Sequence, residues 1–135
     1  MIVLDCSAAV EMVRKTPRGL AFRCLMLEKE PVMTSDLLKV EVRNAFWKYV
    51  HTGSLSSDEA EAHIASALDL VDDFIPLEEN AAESFAEAAR QGHPVYDLFY
   101  ATLARRNAAT LFTADKRLVP LCERMGINCV CEVEN

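Results

Sequence analysis

No stretch of this chain stays apolar for the roughly 18 residues that a bilayer-spanning helix requires. Nor does a basic segment precede its first acid, because Met1-Ile2-Val3-Leu4 leads directly into Asp5. Neither a membrane span nor a secretory leader is therefore expected, and the chain reads as cytosolic. Cys-x-x-Cys is absent too. The five cysteines (Cys6, Cys24, Cys122, Cys129 and Cys131) are odd in number, and the closest pair, Cys129 and Cys131, has no histidine at zinc-finger spacing. The pattern argues against a zinc site and for reduced thiols, mostly in the core. No glycine-rich phosphate cradle is present. The three histidines suggest no catalytic triad, and His93, beside Pro94, reads as a loop residue. No linker, repeat or low-complexity segment interrupts the chain, so one domain is expected over residues 1–135. A hydrophobic content of 51% excludes a disordered tail and supplies an independent core.

Lysine and arginine are also missing from one long stretch. Between Lys48 and Arg90 there is neither, while ten acids fall there. That stretch reads as solvated helical surface. The net charge of −7 would by itself argue against a nucleic-acid partner. The remainder of the chain, however, holds fourteen bases against eleven acids, a balance of +3. Four of those eleven acids are the candidate metal ligands described below. A bound cation would leave that part effectively basic.

Turning to local pattern, residues 2–5 form a short apolar run ending in an acid, which fits a buried strand. Ser7 opens a helix to about residue 14, and Pro17-Arg18-Gly19 marks a break. Helix is expected over 20–29, strand over 31–34, and a long helix capped by Ser35 or Asp36 and stopped by Gly53. Ser56 or Ser57 caps a further helix to about residue 73. Residues 74–77 are extended, and 80–90 are helical with Gly92 as the stop. Pro94 opens a helix to about residue 107. Strand over 110–113, helix over 116–125 and strand over 127–130 complete the chain. Strands alternating with helices imply an α/β fold, with a parallel sheet covered on both faces.

In such sheets ligands bind beyond the carboxyl ends of the strands. Asp5 and Asp115 lie at two of those ends. The plain alternative for each is a helix-capping role. Glu41 has Leu37, Leu38, Asn44 and Ala45 three and four positions away, an apolar seam rather than a solvated face. A Glu there needs a partner, and an ion pair with Arg43 or Lys48 is the structural alternative. Asp97 is the only charge between Pro94 and Ala104 and falls in the first turn of its helix, where the helix dipole favours an anion. Crowded carboxylates repel and burial opposes their ionisation, so a hard divalent cation resolves both problems. Oxygen-only ligands suit Mg²⁺ or Mn²⁺.

Four fragments carry a further signal: Ile2-Val3-Leu4-Asp5-Cys6-Ser7-Ala8, Glu41-Val42-Arg43-Asn44-Ala45, the run from Val95 through Asp97 to Ala104, and Leu111-Phe112-Thr113-Ala114-Asp115-Lys116-Arg117-Leu118. In this order and at these separations the chain resembles the PIN-domain ribonucleases, and especially the short VapC-type toxins. The resemblance spans essentially the whole chain. It implies a three-layer PIN-like fold with a central parallel sheet of four to five strands flanked by helices. It implies a catalytic metal site from Asp5, Glu41, Asp97 and Asp115, with Ser7, Asn44 and Thr113 as polar neighbours. It further implies Mg²⁺- or Mn²⁺-dependent RNA cleavage, a homodimer, and an antitoxin protein as partner. Cys6 departs from the family, where Thr or a small residue is common.

The expected reaction is phosphodiester hydrolysis by a metal-activated water, with one or two ions. Arg14, Lys15, Arg18, Arg43, Lys48, Arg105, Arg106, Lys116 and Arg117 are candidate contacts to the RNA backbone. Tyr96, Phe99, Tyr100 and Trp47 are candidates for base stacking, with core packing the preferred reading. Two other functions compete. A haloacid-dehalogenase-like phosphatase would also start with a strand ending in Asp, but wants a second Asp where this chain has Ser7. A non-catalytic PIN-like binding module is the other.

Overall fold

The structure is a computed structural model that describes residues 1–26 and 29–131. Its centre is strand β1 (Ile2–Leu4), whose three side chains are all buried. An apolar run this short cannot satisfy its own backbone, so it pairs on both sides and is covered on both faces. It is followed by α1 (Cys6–Val13), α2 (Pro17–Leu25), β2 (Val32–Ser35), α3 (Leu37–His51), α4 (Ser57–Asp69) and β3 (Asp73–Ile75). After a single 3-10 turn at Leu77–Glu79 come α5 (Ala81–Gln91), α6 (Val95–Arg106), β4 (Thr110–Phe112), α7 (Leu118–Met125) and β5 (Cys129–Val130). The strands form one parallel sheet in the order β3-β2-β1-β4-β5.

Side chains alternate across the strands and divide the core into two layers. Ile2 and Leu4 face one way with Val32 and Phe112, against Ala8, Met12 and Phe22 of α1 and α2. Val3, Met33 and Leu111 face the other way, against Leu38, Val42 and Phe46 of α3 and Leu98 and Leu103 of α6. Full burial of each such side chain contributes about 1.5–3 kcal/mol. Register then places the functional edge. Leu4 pairs with Phe112, so the next residues, Asp5 and Thr113, emerge side by side.

Several element boundaries move from the sequence expectation. Pro17 begins α2 rather than breaking the chain: Thr16 caps it, accepting from the Gly19 N–H at 3.0 Å, and Pro17 lacks only an N–H the first turn cannot use. Gly19 is interior to this helix because a Cβ there would lie 1.9 Å from the Glu11 carbonyl oxygen, so only glycine allows α1 and α2 to approach. Helix α2 ends at Leu25; of its expected extension to residue 29, residues 27 and 28 lie outside the described residues. Helix α4 stops at Asp69, because residues 73–75 are drawn into the sheet beside β2. Helix α7 starts at Leu118, since residues 116 and 117 turn to carry Asp115. Cys122 and Cys131 are buried, Cys6 and Cys129 partly so, and Cys24 is exposed. Among the described residues no helix is long and apolar enough to cross a membrane.

Candidate active site

Asp5 occupies the corner where β1 gives way to α1. It is 4% exposed and caps α1, its Oδ1 accepting from the Ala8 N–H at 2.9 Å and from Ser7 Oγ at 2.7 Å. The Thr113 hydroxyl donates to its other oxygen. Ser7 and Thr113 in turn fix the neighbouring loop, accepting from the Ala114 N–H at 2.8 Å and the Asp115 N–H at 3.0 Å. Five ordered donors thus hold two strand ends as one unit. Burial nonetheless pushes the Asp5 carboxyl up from its ordinary 3.8 to about 6; the three hydrogen bonds oppose that rise, and the charge on Asp97 adds to it.

Glu41 is half-buried on the face of α3 that also presents Leu37, Asn44 and Lys48 to a cleft. Its partner is neither Arg43, which donates to the Lys39 carbonyl, nor Lys48. It is Tyr100 on α6, whose hydroxyl donates to Oε1 at 2.5 Å. Burial raises the Glu41 carboxyl, the Tyr100 bond opposes this, and Asp97 reinforces it. Tyr100 is 1% exposed, and burial together with Glu41 pushes its phenol up, so it remains a donor.

The other two acids stand nearer the cleft mouth with nitrogen-bearing partners. Asp97, in the first turn of α6, bonds through Oδ2 to His93 Nε2 at 2.7 Å. Asp115 is gripped by Arg117, from Nη2 to Oδ2 at 2.7 Å and from Nε to Oδ1 at 3.0 Å, and this grip lowers its carboxyl below the usual range. Both acids, with Asp5 and Glu41, line one cleft of about 730 Å³. Ser7, Asn44, Lys48, Tyr96 and Arg117 line it too. Thr113 reaches it only through Asp5. All seven expected site residues are therefore at this one place.

The donor set is oxygen-only and mutually repulsive, with Asp97 acting on both Asp5 and Glu41, which suits a hard divalent cation in kind. Among the described residues, however, no three His, Cys, Asp or Glu side chains stand together as a ready metal cage. Asp97 and Asp115 are turned toward His93 and Arg117 instead. The acids share a cleft in which one of them is hydrogen-bonded to His93 and another is paired with Arg117.

Sequence reasoning missed three participants. His93 was expected to serve only a loop, yet it lies four residues before Asp97, a spacing that lets the two side chains meet. Tyr100 lies three residues after Asp97, the helical spacing that returns it to the same face. Arg117 was read as a backbone contact, and its grip on Asp115 has no signature beyond proximity. Other candidate bases are engaged elsewhere: Arg105 with Glu83 and Glu87, Arg106 with the Glu79 carbonyl, and Arg14 over the Tyr49 ring at 4.1 Å. Arg18 donates to the Ala114 carbonyl at 3.0 Å, bracing the loop that bears Asp115.

Comparison with known proteins supplies an independent line. The PIN domain family model matches residues 2–123. Ribonuclease VapC3 of Pyrobaculum aerophilum is 30% identical over 122 residues, covering 87% of this chain and 91% of that protein. Ribonuclease VapC12 of Mycobacterium tuberculosis is 34% identical over 121 residues, covering 87% and 89%. Among solved structures, VapBC2 from Rickettsia felis, bound to a DNA fragment from their promoter, superposes with a TM-score of 0.69 at 16% identity over 97% of this chain and 98% of that one. VapBC-5 from Mycobacterium tuberculosis, a member of the VapBC family of toxin-antitoxin systems, gives 0.63 at 19% identity over 96% and 97%. At such identities these structures speak for the fold.

Proposed function

The chain belongs to the PIN-domain family, and on that footing we propose that it is a metal-dependent endoribonuclease, the toxin of a toxin–antitoxin pair, working in the cytoplasm. The observation that carries this reading is the convergence of Asp5, Glu41, Asp97 and Asp115, from four separate segments, on one cleft at the carboxyl edge of the sheet. The family match sets aside the phosphatase alternative, as did Ser7 at the position where that family carries a second Asp.

Mg²⁺ or Mn²⁺ would be held by Asp5 and Asp97, with Glu41 and Asp115 completing the set, and would supply water activation and neutralisation of charge on the phosphate. The chain's own residues then do the rest. Thr113, Ser7 and the Ala8 N–H hold Asp5 in a fixed orientation without consuming its charge. Tyr100 does the same for Glu41. His93 orients Asp97. Lys48 and Arg117 are the cations of the cleft and meet the phosphates of an entering strand.

The partners that accompany this reading are RNA, a cognate antitoxin and a second copy of the chain. Outward-facing Ala82, Phe85, Ala86 and Ala89 make an exposed apolar seam on α5, with Phe85 70% exposed. That seam is where we place the homodimer contact. The deciding experiment incubates the purified protein with RNA in Mg²⁺, Mn²⁺ or EDTA, and maps new 5′ ends in cellular RNA after induced expression. Cleavage that needs the metal is expected. Intact RNA in every metal condition would leave the non-catalytic binding module as the correct reading.

A further inference from the structure

Tyr96 has an unusual environment for a large aromatic. It is 59% exposed, although it sits directly before Asp97 and lines the same cleft as all four acids. Among the described residues its hydroxyl makes no hydrogen bond and its ring joins none of the aromatic pairs, which are Phe22–Phe112, Phe46–Tyr49, Phe46–His63 and Trp47–His51. Trp47, the other exposed aromatic of this region, is already stacked on His51 at 4.9 Å, and Tyr100 is buried. Tyr96 alone therefore presents a free π-face at the cleft. The remaining exposed apolar side chain lining the cleft is Val40 on α3, at 68%. Leaving a ring in water forfeits the stabilisation of its burial. An occupant that covers the ring recovers that contribution.

We propose that Tyr96 is a stacking platform for one unpaired nucleobase beside the scissile phosphate. This rests on the ribonuclease reading of the acids. Its geometry is specific. Lys48 and Arg117 give the same cleft positive charge for the strand's phosphates, while Tyr96 and Val40 give it an apolar wall with no charge to offer. A base flanking the cut phosphate meets the ring because Tyr96 and Asp97 line the same cleft. Stacking accepts any base, since every base has a π-face. Bases within a duplex are already stacked on their neighbours and paired, so they cannot reach the ring.

The test uses a short single-stranded RNA with a mapped cleavage site, the same strand with an abasic ribose at each flanking position in turn, and its duplex. Tyr96→Ala is expected to raise KM about ten-fold, the scale of one lost base–aromatic stack, with kcat within about two-fold. Tyr96→Trp and Tyr96→Phe restore wild-type KM, which a merely structural role for the ring would not require of both. One abasic position should raise the wild-type KM equally and have no further effect on Tyr96→Ala. The duplex should be cut poorly by every variant. Binding of the labelled strand is measured alongside in Asp5→Asn and in Asp5→Asn with Tyr96→Ala, where no cleavage is needed. If the wild type cleaves but Tyr96→Ala changes neither KM nor affinity, the platform is overturned and the ribonuclease reading stands. If that change instead weakens a cognate antitoxin complex, the ring belongs to a protein contact, which also overturns it. If the wild type cuts nothing but binding still falls on loss of the ring, the ring meets RNA beside no scissile phosphate, and the platform falls with the ribonuclease reading. No cleavage and no binding overturns both.

Discussion

The inner and outer acids of the cleft are stabilised in opposite ways. Asp5 is buried and held by uncharged donors on a strand end, a helix start and a facing strand end. Asp97 and Asp115 stand closer to water, Asp97 hydrogen-bonded to the His93 ring and Asp115 paired with the Arg117 guanidinium. Neutral donors position a carboxylate but leave its charge uncancelled, so Asp5 keeps a field that attracts a cation and disfavours its own ionisation. Such a partner occupies a carboxylate oxygen and must be displaced before that oxygen can serve a metal cation. The inner acid is thus a fixed anchor, and the outer acids form an exchangeable set.

The largest effect should come from removing the charges while keeping the shapes. Asp5→Asn retains a carbonyl oxygen for Ser7 and Ala8 and offers an amide to the Thr113 hydroxyl, so the fold is expected to persist. RNA cleavage by Asp5→Asn, and by Asp97→Asn, should fall about 10³-fold in single-turnover assays. Wild-type rates in either folded variant would remove that acid from the site.

Stability in EDTA distinguishes the anchor from the exchangeable acids. The folded Asp5 carboxyl titrates near 6 against an ordinary 3.8. Between those values the folded chain binds more protons than the unfolded chain. Stability therefore falls as pH rises through that window and stays low above it. A shift of this size corresponds to a loss on the order of 3 kcal/mol. Glu41 adds to the loss with the same sign. Denaturant unfolding at pH 4.5 and 7.5 should show the decline in the wild type and a smaller one in Asp5→Asn. Equal declines would mean that Asp5 is not the group whose burial is resisted.

Much of this was legible beforehand because the signals were local. The apolar run before Asp5, the isolated Asp97 in a first helical turn and the parallel αβ alternation each follow from spacing alone, and all placed residues correctly. What was not legible depended on neighbours distant in sequence. Nothing around Glu41 identifies Tyr100, 59 residues away, as its partner. The break expected at Pro17 became a helix start because the close approach of α1 required Gly19 inside a helix, a tertiary demand that overrides the usual reading of Pro and Gly. Tyr96, read foremost as core packing, is exposed instead, which only the packed structure reveals.

A smaller change probes the neutral donors themselves. Thr113→Val preserves the shape beside Asp5 but deletes a buried hydroxyl that donates to the carboxylate. About 1–3 kcal/mol of stability should be lost at neutral pH. The Asp5 carboxyl should rise further, moving the decline in stability to higher pH. Thr113→Ser, which keeps the donor, should restore the wild-type position of that decline. An unchanged profile in Thr113→Val would show that Ser7 and the Ala8 N–H alone set the anchor.

The smallest effect is expected at the rim, and it tests the exchangeable half of the comparison most directly. Arg117 is 80% exposed, so its pair with Asp115 is solvent-screened and Arg117→Ala should leave the melting temperature in EDTA unmoved. The Asp115 carboxyl, now held low chiefly by Arg117, should rise toward its ordinary value. With the competing guanidinium gone, Mn²⁺ should bind about two- to five-fold more tightly in calorimetric titration without RNA, the range set by a screened pair. RNA affinity should move the other way, because the same guanidinium meets the strand's phosphates, and the dependence of binding on salt should flatten. Tighter metal with weaker RNA is the outcome peculiar to a cation that alternates between Asp115 and substrate. Mn²⁺ affinity unchanged in Arg117→Ala would place Asp115 outside the metal's reach and reduce the set to Asp5, Glu41 and Asp97.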